Sequence, residues 1–293
     1  MTPPLNTKVT IVIPAYNAAN YIATSISSVL AQTFTDWELI IVNDGSKDNT
    51  AELVKGYLSD TRIKLIEQAN SGVSSARNVG IKAASGKFIA LLDADDSYLS
   101  NNIETKFNII NADDSIDFVY GDIWKCDKEL KPIYVEKGVP TENLFEEVML
   151  WTKETIPGFS SNIMMKANSI RNRFLFDENL SNCADRYMKI LLSKNLKGAY
   201  IPKPLSNYRD TPGAMSKQVA LLDHDEKYII KEITENNIVP DGSFRRKVIA
   251  NIYFTLSGSW YKNAGKPLKA IAPALKAIAI YPPFLLKLIK KLF

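Results

Sequence analysis

Up to Lys128 the apolar residues follow two alternating rhythms, short unbroken runs and runs recurring every three or four positions. The unbroken runs Lys8–Tyr16 (KVTIVIPAY), Glu38–Val42, Ile63–Glu67, Phe88–Asp93 and Asp117–Trp124 read as strands buried on both faces. Between them, Asn20–Phe34 places Ile22, Ile26, Val29 and Leu30 on one helical face. TAELVKGYL, capped by Asp48 or Asn49, Val73–Ala84 and Asn101–Asn111 read as further helices. Strands alternating with helices predict an α/β fold, a mostly parallel central sheet flanked by helices. Beyond Lys128 the alternation breaks into a helix Glu142–Trp151, a strand-like SSNIMM and a helix Ala184–Ser193. The polar TENNIVPDGS stretch places a boundary between Ser216 and Gly242, giving a domain 1–216 and a helical tail 217–293.

Composition changes this picture little, but charge does. At 293 residues with 46% hydrophobic and 23% charged, the chain is long enough for a large core and ordinary for a globular protein. Its net charge of +4 hides an asymmetry: the segment after Asp241 holds ten Lys/Arg and no acid, while the rest holds 26 basic and 32 acidic residues. A tail of +10 behind a body of −6 implies an anionic partner, a membrane surface ahead of nucleic acid. Lys262, Lys266, Lys269 and Lys276 share a narrow helical face, and after Pro282-Pro283 the pattern repeats with Lys287, Lys290 and Lys291. This reads as a basic amphipathic tail lying on a membrane, or as helices that cap the body or pair two copies into a homodimer. MTPPLNTK lacks a basic start followed by an apolar run, so export is not expected. Two cysteines, Cys126 and Cys183, suit a reduced compartment, and a single histidine, His224 in a polar run, excludes histidine-rich metal sites.

Four polar clusters follow predicted strands: Pro14–Asn17, Asn43–Ser46, Asn70–Gly80 and Asp93–Asp96. Parallel strands bring their carboxyl ends to one edge, where open α/β sheets bind ligands. In a continuing strand Asp93 and Asp95 would face the same side and could share a divalent ion with phosphate oxygens. A polar turn capping the next helix is the plainer alternative. Tyr16 offers a ring for stacking, Asp44 an acceptor and Arg77 a phosphate-binding charge. Each also reads as ordinary: a rim aromatic, a tight turn at Asp44-Gly45, a surface arginine. No P-loop or G-x-G-x-x-G sequence is present, which removes the usual NTPase and dinucleotide-binding fingerprints.

In order and spacing, IPAYN (13–17), VNDGS (42–46), NSGVSSARNVG (70–80) and LLDADD (91–96) resemble the family 2 glycosyltransferases of the GT-A fold. GFSSNIMMK (158–166), FDENL (176–180) and NYRDTPGAMS (207–216) extend the likeness. The resemblance implies a donor site made of Pro14, Tyr16, Asp44, Arg77, Asp93 and Arg209, with Tyr16 and Asp44 on the nucleobase and Asp93 on the ribose. It also implies Asp95 as ligand to Mn2+ or Mg2+ on the diphosphate, and Asp185 as the general base. Two positions depart from the family pattern: Ala184 stands where a Glu commonly precedes the base, and Thr211 where a His often follows the Tyr-Arg pair.

The function expected is therefore inverting transfer of a sugar from a nucleotide-sugar, a UDP-sugar by resemblance. The acceptor would be a glycan or a polyprenyl-linked glycolipid, and the enzyme cytoplasmic, peripheral on the inner face of the cell membrane, with no nucleic-acid partner. A non-catalytic sugar-nucleotide or glycan-binding protein on the same scaffold, and a nucleotidyltransferase, are the competing readings.

Overall fold

The computed structural model describes residues 8–151, 153–211, 218–240 and 242–285. The strands are β1 (Val9–Ala15), β2 (Trp37–Asp44), β3 (Ile63–Gln68), β4 (Phe88–Leu91), β5 (Ser97–Tyr98), β6 (Phe118–Cys126), β7 (Pro132–Glu136), β8 (Ile163–Lys166) and β9 (Gly198–Arg209). The helices are α1 (Ile22–Leu30), α2 (Thr50–Lys55), α3 (Val73–Ala83), α4 (Asn102–Ala112), α5 (Leu144–Leu150), α6 (Ala167–Ile170), α7 (Ala184–Asn195), α8 (Val219–Glu235), α9 (Gly242–Gly258) and α10 (Pro267–Ile280). The chain divides into two compact units. One comprises the described residues up to Phe145, Glu154–Asn179 and Ala184 to 211, and the other Glu146–Lys153, Leu180–Cys183 and the described residues from 218 on.

The first unit holds one sheet in the order β3-β2-β1-β4-β8-β6-β9-β5, with β7 paired to β6. Its first half is parallel, as the alternating pattern predicts. Beyond β4 it is mixed: β8 runs antiparallel to β4 and to β6, while β6 and β9 are parallel. The first half was readable because β1, β2 and β4 are apolar runs buried on both faces, while β3, at the sheet edge, buries only Ile63. Val9, Ile11 and Ile13 pack with Ile22, Ile26 and Val29 of α1 and Ile103 and Ile110 of α4. On the opposite face, Ile40 and Val42 pack with Ala76 of α3. That helix lies so close that a Cβ at Gly80 would come within 2.2 Å of Val12 Cγ1, so only glycine fits there.

Two strand registers decide where the polar clusters fall. In β1–β2–β3, Ala15 pairs with Asn43 and Asp44 with Gln68, so the loops after these strands leave from one edge. Past β4, Ser97 and Tyr98 pair with Asn207 and Ser206, which brings the Asp93–Asp96 turn beside the end of β9. In the second unit, α10 packs on α9 through the buried Ala270 and Ala277. Among the described residues no helix is long and apolar enough to cross a membrane. Lys287, Lys290 and Lys291, and most of the TPGAMS end of the NYRDTPGAMS run, lie outside the described residues.

Candidate functional site

β4 ends at Leu91, two residues earlier than expected, and a turn closes with the Asp96 N–H donating to the Asp93 carbonyl (3.1 Å). The strand-like alternation of Asp93 and Asp95 is thereby corrected: four residues with three carboxylates form a turn, because their charges do better at the sheet edge than inside it. Asp96 is the buried member, 1% exposed, where Ser161 Oγ and the Arg209 N–H (2.8 Å) donate to it. Burial pushes its carboxyl well above the usual range, and the neighbouring Asp95 and Asp93 push further.

Arg77, on α3, is the centre of the cluster. Nη2 donates to Asp93 Oδ1 and Nη1 to Asp185 Oδ1, each at 2.8 Å. The arginine is buried, yet the charges of Asp185 and Asp93 outweigh desolvation and hold its guanidinium pKa above the ordinary value. Asp93 is raised by burial, pulled back by Arg77 and raised again by Asp185 and Asp95. Asp185 sits in the first turn of α7, and its Oδ1 also accepts from Ser160 Oγ (3.0 Å). Ser160 and Ser161 arrive here because β8, which follows them, pairs with β4 at Ala90 and Met164. Among the described residues Asp185 Oδ2 accepts no hydrogen bond, so it is free to take one from a hydroxyl.

Asp95 and Arg209 occupy the other side of the turn. Asp95 Oδ2 accepts from Thr211 Oγ1 (2.7 Å), so the threonine that replaces the family's histidine still touches this carboxylate. Arg209 donates through Nε to the Asp95 carbonyl (2.6 Å) and through Nη1 to the Lys128 carbonyl (2.5 Å), fixing the turn's backbone. Tyr208, which sequence reasoning did not single out, has its phenol pKa raised by burial and then by Asp96, Asp93, Asp95 and Asp185. Its only signal in the sequence was its place beside Arg209 in the NYRD run.

At the far end of the same edge stand the other expected residues. Tyr16 follows β1 with its ring 48% exposed, while Pro14 is paired in the sheet with Val42. Asp44 is buried, and its carboxylate accepts from Gln68 Nε2 (2.8 Å) and from the backbone N–H of Ser71 (2.8 Å) and Gly72 (2.9 Å). It therefore shapes the loop that leads into α3 and hence Arg77. Gly45, at φ +68°, lets that loop pass: a Cβ there would meet the Asn70 backbone nitrogen at 2.8 Å. Ala184 is buried, so the position before Asp185 offers no polar group.

Asp93, Asp95, Asp96 and Asp185 face two guanidinium groups, a formal excess of two negative charges when all are ionised. Among the described residues no three His, Cys, Asp or Glu side chains converge to hold an ion by themselves. Asp95, with its Oδ1 unengaged among those residues, suits an ion completed by phosphate oxygens, the usual manner for Mg2+.

The chain belongs to Glycosyl transferase family 2, whose sequence profile matches residues 10–174. A glycosyltransferase of Rickettsia bellii, itself uncharacterized, is 35% identical over 204 residues, 69% of this chain and 29% of that protein. The Escherichia coli UDP-Glc:alpha-D-GlcNAc-diphosphoundecaprenol beta-1,3-glucosyltransferase WfgD is 45% identical over 114 residues, 39% of this chain and 44% of that one. The crystal structure of S. aureus TarS 1–349 in complex with UDP-GlcNAc matches with a TM-score of 0.66 at 19% identity, over 93% of this chain and 82% of that one, a likeness of fold. The matched part thus spans about a third of the curated relatives that align over most of this chain.

Proposed function

We propose that the chain is an inverting glycosyltransferase that moves a sugar from a UDP-sugar to a lipid-linked glycan acceptor. The observation that carries this reading is the Asp93–Arg77–Asp185 bridge at the carboxyl edge of the parallel strands. It ties a ribose-binding candidate and a base candidate to one buried cation, within reach of the acidic turn.

In this reading Tyr16 stacks on the nucleobase, Asp44 and Pro14 border it, and Asp93 takes a ribose hydroxyl. Asp185 Oδ2 accepts the proton of the acceptor hydroxyl while its Oδ1 stays held by Arg77 and Ser160. The freed oxygen attacks the anomeric carbon from the face opposite the diphosphate. The bond from that carbon to the diphosphate oxygen breaks, and UDP leaves with the electron pair. Asp95 would hold Mn2+ or Mg2+, which supplies charge neutralisation to the diphosphate. The carboxylates of the cluster explain the need, because wherever they are ionised an approaching diphosphate would otherwise meet groups of its own sign. Arg209, by fixing the Asp95–Asp96 turn, keeps that ligand in place.

The acceptor class follows from the relative that acts on a diphosphoundecaprenol-linked sugar, together with the basic tail. In this reading the protein works in the cytoplasm on the inner face of the membrane, with residues 1–216 as the catalytic domain and 217–293 as the membrane-contacting part. The buried Ala184 favours a second reading, a non-catalytic sugar-nucleotide binder. Slow hydrolysis of a UDP-sugar that disappears in Asp95→Asn argues against it.

Thermal unfolding with UDP, GDP or dTDP, each with and without Mn2+, tests the donor site. Ligand at 100 times Kd adds about 2.7 kcal/mol of stability. A metal-dependent shift with UDP that vanishes in Asp95→Asn is expected. The absence of any nucleotide shift would overturn the donor assignment.

A further inference from the structure

Helix α10 is amphipathic the wrong way round for a helix packed only on its own protein. Its small residues Ala270 and Ala277 are the buried ones, while Leu268, Ile271 and Leu275 are 83%, 52% and 61% exposed. Beside this stripe lies an apolar hollow of about 490 Å³, lined by Phe254, Tyr261, Leu268, Ile271 and Ala274 with Lys262 at its polar side. Leu268 and Leu275 are seven residues apart, as are Lys269 and Lys276, so an apolar stripe and a cationic stripe run side by side along the helix. The lysine ammonium groups sit over aromatic rings that border the stripe, Lys269 Nζ 4.7 Å from the centre of Trp260 and Lys276 Nζ 5.2 Å from that of Tyr253.

We propose that this face of α10, with its hollow, docks on an anionic lipid bilayer. The leucine–isoleucine stripe would enter the headgroup–acyl boundary, the hollow admitting a lipid chain, while Lys262, Lys269 and Lys276 meet lipid phosphates. Charge selects this occupant over a second copy of the chain. Residues 242–293 carry ten cations and no acid, so a symmetric pairing through this face would set lysines against lysines with nothing in that segment to neutralise them. A bilayer with anionic headgroups supplies both the apolar depth and the opposite charge. The proposal extends the lipid-linked acceptor reading and makes it specific, but its test does not depend on the donor site.

Flotation of the full-length protein with phosphatidylcholine vesicles, with and without phosphatidylglycerol, tests it. The wild type is expected to float with the anionic vesicles and far less with the neutral ones. Leu268→Ser/Ile271→Ser/Leu275→Ser should reduce binding roughly tenfold or more, because three exposed apolar side chains no longer leave water. Lys262→Gln/Lys269→Gln/Lys276→Gln should abolish the preference for anionic lipid. Unchanged circular dichroism and an unchanged thermal shift with UDP and Mn2+ would show that each variant is folded. Wild type that does not float, or a serine variant that floats as well as wild type, overturns the proposal. So does a concentration-dependent dimer that the serine variant breaks, which would assign the face to self-association. A failed nucleotide shift in wild type that floats would sink the donor reading and leave this one standing.

Discussion

At the residue scale, what matters is how few partners each charged group has. Among the described residues Asp185 is held on one oxygen, by Arg77 and Ser160, and the proposed function gives the other to a substrate proton. Asp185→Asn keeps the shape and removes the proton acceptor. Turnover should fall by roughly 10²–10⁴, while the metal-dependent UDP shift persists; unchanged turnover would assign the base elsewhere. Lys106 is the opposite case, a buried lysine of α4 whose Nζ has no hydrogen-bond partner among the described residues and lies 5.4 Å from the Tyr98 ring centre. Burial pushes its pKa down to about 7. Between that value and its ordinary 10.5 the unfolded chain binds a proton that the folded chain does not, so stability rises with pH across this window. Below pH 7 the cost of the buried charge is fully present, on the order of 5 kcal/mol. Lys106→Met should therefore raise the melting temperature at pH 7 and flatten its rise toward pH 10. A variant that melts earlier at both pH values would show the ammonium to be satisfied. The sequence pattern could not reveal this lysine, since one polar residue beside Phe107 on an amphipathic helix reads as solvated.

At the element scale, the edge of the sheet opposite the site is fastened by Glu38 of β2. Its Oε1 accepts from Thr10 Oγ1 (2.7 Å) and from the Ser85 N–H (2.7 Å), and its Oε2 from Lys64 Nζ (2.8 Å), so β1, β2, β3 and the loop before β4 share one carboxylate. Burial would raise its pKa, but the bonds from Lys64, Ser85 and Thr10 together lower it from 4.5 to about 2. The stability it contributes is fully present above pH 4.5 and is lost as the pH falls toward 2. Glu38→Gln should cost roughly 3 kcal/mol at pH 7 and remove the part of the acid limb between those values. Identical acid unfolding of the two proteins would contradict this. The same elements show what was legible. β1, β2 and β4 could be read because both of their faces are apolar, and the edge strand β3 because its short Ile63–Ile66 run stands between two helical patterns. β9 could not, because Pro202 and Pro204 demote it: a proline has no N–H for the ladder. The sheet accommodates them by a slip in register, Gly121 pairing with Ile201 but Asp122 with Pro204. Arg209 was therefore singled out through the family resemblance alone, whereas the carboxylates of the turn it fixes were visible at the end of the Phe88–Asp93 run.

At the scale of the whole molecule, the two functions proposed here lie in segments of opposite net charge, −6 before Gly242 and +10 from there on. The charge of the tail was plain in the sequence, whereas the outward turn of Leu268, Ile271 and Leu275 was not. Period alone cannot say which side of a helix its neighbour will cover, and α10 is covered on its alanine side. Salt should separate the two functions. Lys262, Lys269 and Lys276 are exposed, so their attraction to an anionic vesicle falls once the Debye length shrinks, from about 10 Å at 0.1 M salt toward 3 Å at 1 M. The Arg77–Asp93–Asp185 bridge is shielded, with the Arg77 side chain 6% exposed, and direct ligand contacts at its rim are screened much less. Raising NaCl from about 0.05 to about 0.5 M should therefore release the protein from phosphatidylglycerol vesicles while the UDP and Mn2+ thermal shift changes little. A parallel loss of both would mean that nucleotide and vesicle compete for the same exposed lysines. The donor site would then have to be sought in the basic segment and not at the acidic edge of the sheet.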